Sequence, residues 1–245
     1  MTQFTELPLV KSSDGVISGN HIPEYKNTWV MTEEVNNIEK HRGIWLDEIQ
    51  YDRIDGEAIL KRTADITFID GTHQFHTDLV YKKNLLPIKT EIKDITSGNT
   101  IMRAEYKLNS VSGFKGFSIE DTNRKERIKA GYSFQLDDPI YDWHLWGIIV
   151  AGFPLSLSYK ARFLAHASTG YSYSPFIWVG FEVIDIVILD AGIWGEVECW
   201  LVDLYGEVPW RLWLSIEKKY PPVLQLRVET TSEITHWWKC KDPFD

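Results

Sequence analysis

The residues of this chain that could do chemistry are polar groups set among apolar neighbours on extended segments. Arg62 alternates with Ala58, Leu60, Ala64, Ile66 and Phe68, and an unpaired charge on a buried face is expensive. Glu182 shares a face with Phe176, Trp178 and Ile184, and Glu196 and Glu198 lie between Trp194 and Trp200. A pair between Arg62 and one of these glutamates inside a barrel is one expectation; buried ion pairs are also compatible with a purely structural role. His144 set against a carboxylate such as Glu182 would make a general acid–base pair, because imidazole titrates near neutral pH. The plainer reading packs His144 and its tryptophan neighbours against the sheet. Asp142 and His144 diverge by about 200° on a helix, so they do not pair within their own segment.

The expected catalytic residues are therefore Glu182, His144 and Arg62. Trp178, Trp200, Trp213, Trp146, Phe176 and Phe68 are the expected walls of a ligand cavity. Trp213 faces opposite Leu212 and Leu214, so it also reads as a residue of the outer surface. The aromatic load is what suggests a cavity. Seven of the eleven tryptophans fall in the last third of the chain, and a buried indole N–H needs a partner. A large aromatic core and a lined pocket for an apolar or unsaturated molecule are the two readings.

Other chemistries find no footing. His73 and His76 point to opposite faces of a strand, the other histidines are scattered, and no metal site is expected. There is no phosphate-cradling glycine loop and no nucleophile elbow. Cys199 alternates with Val197 and Leu201 as a small core residue, and Cys199 with Cys240 makes no disulfide framework. The 26 basic and 35 acidic side chains give a net charge of −9, which argues against a nucleic-acid partner. The opening residues lack the basic and long apolar stretches of a secretory signal, and no run reaches a membrane span of roughly 18 residues. A reduced, cytoplasmic setting is the expectation.

The elements that must position these residues are mostly strands. The first 26 residues are polar and aperiodic and read as an arm, with residues 27–245 as one domain. Alternating runs follow at 43–51, 57–69, 73–81, 87–93, 100–108, 115–120 and 127–134, with Asp55-Gly56 and Asp70-Gly71 as hairpin turns. Strands resume at 155–166, 175–189, 193–205, 210–218 and 223–229, with Asp190-Ala191-Gly192 as a turn and Trp237-Trp238 in a last short strand or tail. Between the two series, residues 139–153 read as a helix capped by Asp138, opened by Pro139 and stopped by Gly152 and Pro154. The expected fold is mainly β: a single large antiparallel meander forming an open or closed barrel, with the helix packed on or in it.

The segments GEAILKRTADITF and FHTDLVYKKNLLPIKTEI resemble a pattern in bacterial β-proteins of unknown function related to the unclosed barrel of periplasmic lipoprotein carriers. DPIYDWHLWGIIVAGFPL, then FEVI, GEVECWLVDL and WRLWLSIEKKYPPVLQLRVE, are similar to its second half. The likeness runs from about Gly43 to Glu229. It implies a curved sheet wrapped around a helix, with a concave apolar face that holds lipid-like ligands. The chain departs from that pattern in its tryptophan content and in the absence of an export signal.

These readings converge on a lipocalin-like barrel that takes a hydrophobic small molecule and cyclises or isomerises it without a cofactor, by holding a reactive conformer and stabilising developing charge. The alternative is a noncatalytic carrier of the same ligand class. A third reading gives exposed tryptophans to a homodimer contact.

Overall fold

The computed structural model describes residues 7–121, 124–167, 180–206, 209–231 and 234–241. The strands are β1 (Leu9–Val10), β2 (Tyr25–Val35), β3 (Ile38–Ile54), β4 (Glu57–Phe68), β5 (His73–Tyr81), β6 (Pro87–Asp94), β7 (Asn99–Lys107), β8 (Ser110–Asp121) and β9 (Arg124–Gln135). After a short β10 (Tyr141–Asp142) come β11 (Lys160–Ala167), β12 (Gly180–Trp194), β13 (Val197–Tyr205), β14 (Pro209–Ser215), β15 (Val223–Glu229) and β16 (Ile234–Cys240). All sixteen join one sheet in the order β1-β11-β12-β13-β14-β15-β16-β2-β3-β4-β5-β6-β7-β8-β9, with β10 on β11. The fold is mainly β and predominantly antiparallel, and the sheet does not close.

Local chemistry sets the hairpins. Asp55 and Gly56 both take positive φ, at 50° and 85°, the conformation of a two-residue turn whose twist matches its strands. Asn36 and Asn37 do the same at 52° and 61°, and join β2 to β3. The sequence reading passed over that turn and over β2 itself. It also set a turn at residues 190–192, where β12 instead runs on through a bulge between Ile188 and Asp190. The reversal falls at Gly195, with φ 60°.

The helix is shorter than its apolar run suggested. Asp138 lies outside it and pairs with Lys11 at 2.9 Å. Tyr141 and Asp142 are drawn into parallel pairing with Ala165 and His166. Only then does a 3-10 turn, Trp143–Leu145, lead into helix α1, Trp146–Ala151. Asp142 is the residue that caps, accepting from the His144 backbone N–H at 3.0 Å.

A helix apolar on every side belongs in an interior, and α1 lies inside the curve of the sheet. Ile148, Ile149 and Val150 are buried in one cluster with residues of β2 to β5 and β11 to β15. Trp143 packs on Trp210 and Phe163, and Trp146 on Trp210. Gly147 lets the helix close on β15, since a Cβ there would come within 2.7 Å of Val223. The arm covers the helix end: the Ser18 N–H donates to the Gly152 carbonyl, His21 Nε2 donates to the Ala151 carbonyl, and Ile17 and Ile22 join the core.

The two ends of the sheet approach one another through side chains. Phe134 of β9 stands edge-on to Phe181 of β12 at 5.1 Å, and the Tyr106 hydroxyl of β7 lies 2.8 Å from His166 Nδ1 of β11. Truncating the helix tests how far this fold depends on its filling. Ile149→Ala, at a site with no exposure, is expected to lower unfolding free energy by about 2–5 kcal/mol. Urea denaturation followed by circular dichroism reads that loss, and a change under about 1 kcal/mol would contradict this account of the core.

Candidate functional site

Arg62 sits at the centre of the concave face and is buried. Its Nε donates to Asp47 Oδ1 at 2.8 Å, and its Nη1 to Asp78 Oδ2 at 3.1 Å and the His144 carbonyl at 3.3 Å. The Tyr25 hydroxyl donates to the other Asp47 oxygen at 2.8 Å. Trp45 places its ring 4.9 Å from the guanidinium carbon and stacks on Trp29. Burial opposes the charged form of Arg62, and Asp47 and Asp78 overcome it, raising its pKa above the ordinary value. Burial, with Asp142 nearby, pushes Asp78 up to about 6 despite Arg62.

From Arg62 a row of residues crosses the sheet in register: Asp78, Thr90, Ala104, Gly113 and Tyr132, one on each of β5 to β9. Asp142 reaches onto this row and accepts from the Thr90 hydroxyl. A Cβ on Gly113 would collide with the Arg103 carbonyl. Beside them stands His166, fully buried, its ring 5.6 Å from Tyr106 and 5.5 Å from Tyr132. Burial pulls His166 down to about 4, against Asp142 and with help from His144 and Lys115. Burial, followed by Asp142, raises Tyr106 and Tyr132. Lys115, also buried, is lowered to about 8. His76, edge-on to His144, is driven well down by burial and then by His144 and Arg62.

Three atoms of this cluster, Asp78 Oδ1, Tyr132 Oη and His166 Nε2, are buried without a hydrogen-bond partner among the described residues. Trp29 Nε1 and Trp45 Nε1 share that condition. Both indoles line a cavity of about 20 Å3 together with Asp47, Arg62, His144 and Trp146, room for a single water. Small-molecule sites are roughly 300–1,000 Å3. Among the described residues no group of three or more metal-ligating side chains converges.

The sequence-derived residues divide accordingly. Arg62, His144 and Trp146 meet at the cavity. Arg62 takes Asp47 and Asp78 as partners in place of a glutamate, and Glu196 and Glu198 are exposed. Register decides this, because Asp78 lies directly across from Arg62. Trp200 and Phe68 pack half-buried against the inner core. Trp213 covers the outer face with Val197, Cys199 and Leu224. Phe176 and Trp178 lie outside the described residues. Glu182 is opposite Ala165 in the ladder, and its side chain lies outside the description. Asp47, Asp78, Thr90, Tyr106, Tyr132 and His166 were not singled out from sequence. The alternation that marks Arg62 also marks Asp47, between Trp45 and Ile49.

No family model and no curated protein matches the chain. Among solved structures it is similar to a beta-barrel-like protein of a domain of unknown function from Brucella abortus. That match has 8% identity and a TM-score of 0.40, covering 90% of this chain and 98% of the other. A likeness of that degree carries no functional conclusion. No described helix is long and apolar enough to cross a membrane.

The raised Asp78 sets a pH dependence. Its folded pKa of about 6 exceeds the unfolded value near 3.8, so the folded state binds the extra proton. Its stabilising contribution is complete below about pH 4 and lost as pH rises through about 6. Asp78→Asn should remove from the unfolding free energy a slope on the order of 2–3 kcal/mol across that window. Urea titrations at stepped pH measure it, and parallel curves for both proteins would refute the assignment.

Proposed function

We propose that the concave interior takes up an apolar, unsaturated small molecule and rearranges it by proton transfer, as a cofactor-independent isomerase or cyclase. The observation that carries this reading is the pair of buried carboxyl groups, Asp78 and Asp142, linked through Thr90. Burial raises the pKa of Asp78 to about 6, while Asp142 accepts from the Thr90 hydroxyl and the His144 N–H. Carboxyls placed in contrasting surroundings can divide acid and base roles. Arg62, His144, Asp47 and Tyr25 are polar groups at the cavity, and Trp29, Trp45 and Trp146 supply apolar wall. Trp200 and Phe68 remain in the proposal as further contacts along the same interior, and the roles proposed for Glu182, Trp178 and Phe176 are kept.

A cavity of about 20 Å3 means that uptake requires movement. Parting the side-chain seam between β7–β9 and β11–β12 would open the concave face; among the described residues it would separate Phe134 from Phe181 and the Tyr106 hydroxyl from His166 without breaking a ladder. A noncatalytic carrier is the second reading, favoured by the apolar helix that fills the interior as a ligand would.

Tryptophan fluorescence during titration with apolar polyenes, fatty acids and aromatic polyketides, followed by mass spectrometry, tests both. Quenching with a product of equal mass and new retention is expected, and Asp78→Asn should keep the quenching and slow turnover at least about tenfold, near 1.4 kcal/mol. Quenching with unaltered ligand would establish the carrier in place of the enzyme. No response to any compound would overturn the uptake reading.

A further inference from the structure

We infer that Arg62, Trp29 and Trp45 form a recognition site for one neutral oxygen acceptor, the carbonyl group of an apolar ketone, aldehyde or ester. The inference rests on the reading that the interior takes up a small molecule, and it names the polar group that molecule carries.

The argument starts from donors that the fold leaves unused. Arg62 gives its Nε to Asp47 and its Nη1 to Asp78 and the His144 carbonyl. Its Nη2 carries two more N–H groups, which reach no acceptor among the described residues. The indole N–H groups of Trp29 and Trp45 are buried and likewise lack an acceptor there. Indole and guanidinium nitrogens donate and do not accept. All three side chains border one cavity, set between strands β2 to β4 and residues 144–148.

Local structure holds these donors in place. Trp29 and Trp45 are register partners on β2 and β3, stacked with ring centres 5.8 Å apart. The guanidinium carbon of Arg62 lies 4.9 Å from the centre of the Trp45 ring. Asp47, the carboxylate of the lining, already accepts with both oxygens, from Arg62 and from the Tyr25 hydroxyl. A buried donor without an acceptor is costly, and three side chains bear that cost at one place. An oxygen atom entering the cavity relieves it.

The surroundings also set what that oxygen belongs to. An incoming carboxylate would be the third on a single guanidinium, after Asp47 and Asp78, so a neutral acceptor fits better. Trp29, Trp45 and Trp146 give the site an aromatic boundary. A space of about 20 Å3 holds one water-sized group. That matches a carbonyl oxygen, with the carbon skeleton left to the interior that opens on uptake. Hydrogen bonds from Arg62 polarise such a carbonyl, the charge stabilisation that proton transfer beside it needs.

Three naphthalenes of one skeleton test this on the full chain: 2-acetylnaphthalene, 2-ethylnaphthalene and 2-naphthoate. Calorimetric titration should give the ketone at least about tenfold tighter binding than either of the others. The infrared carbonyl stretch of the ketone, labelled with carbon-13, should fall on binding. In Trp45→Phe, which keeps a ring beside Arg62 and removes the N–H, the ketone should lose at least about threefold while the hydrocarbon is unchanged. Trp29→Phe supplies the same comparison should Trp45→Phe fail to fold. Equal binding of ketone and hydrocarbon, an unshifted stretch, or an unaltered preference in both variants would overturn the inference and leave uptake standing. Tightest binding by 2-naphthoate would overturn it by showing a site for anions. If none of the three binds, the cavity is a site for water only and the inference fails. Uptake then stands if the wider apolar panel still quenches tryptophan, and falls with it if the panel does not.

Discussion

A guanidinium enclosed between a sheet and a helix is tolerable only with counter-charges and with acceptors for its N–H groups. Arg62 obtains both from neighbouring strands and from the chain that enters the helix. Asp47 and Asp78 lie on the strands to either side of β4, Tyr25 braces Asp47 from β2, and the His144 carbonyl caps the arrangement from above. Four adjacent strands and the inner helical segment are thereby tied to one cation. Removing any one partner would leave a buried charge exposed to its neighbours. This requirement fixes where the helix begins along the sheet, and with it the position of Asp142.

Asp142 carries the constraint to the far side of the curve. It is held between the Thr90 hydroxyl and its own capping bond to His144, so it cannot move without releasing one of them. Its register partner on β11 is His166, whose Nδ1 lies 2.8 Å from the Tyr106 hydroxyl of β7. The polar line from Tyr25 to His166 thus bridges both ends of an open sheet. A closed barrel would have fixed that distance with a backbone ladder. Here side chains such as Phe134 with Phe181 and Tyr106 with His166 make the approach.

The same line concentrates cost. Buried polar atoms without partners are few in native proteins and call for an account, and three of those found here lie along one stretch of the concave face. Burial raises Asp78, with Asp142 adding to it, and burial lowers His166. Both follow from placing ionisable groups where water does not reach. Opposite shifts in a carboxyl and an imidazole separated by a short polar chain create two proton-exchanging groups within one apolar enclosure.

Alternation in the sequence determined which faces of the strands turn inward, because side-chain direction reverses at each residue whatever the strand pairs with. It also determined most hairpins, since Asp55-Gly56 can adopt positive φ without outside help. The apolar run around Ile148 and Ile149 made an inner helix necessary, although Asp142 was lost from its start to parallel pairing with β11. Inward alternation alone placed Arg62 on the concave face and could have placed Asp47 there. It could not supply their partnership, which depends on register between strands. The pairing of β16 with β2, the packing of Trp213 on the outer side, and the meeting of Tyr106 with His166 across 60 residues were decided by tertiary structure. Such contacts depend on how the whole sheet curls, and the curl is a sum over all sixteen strands that no local stretch of sequence contains.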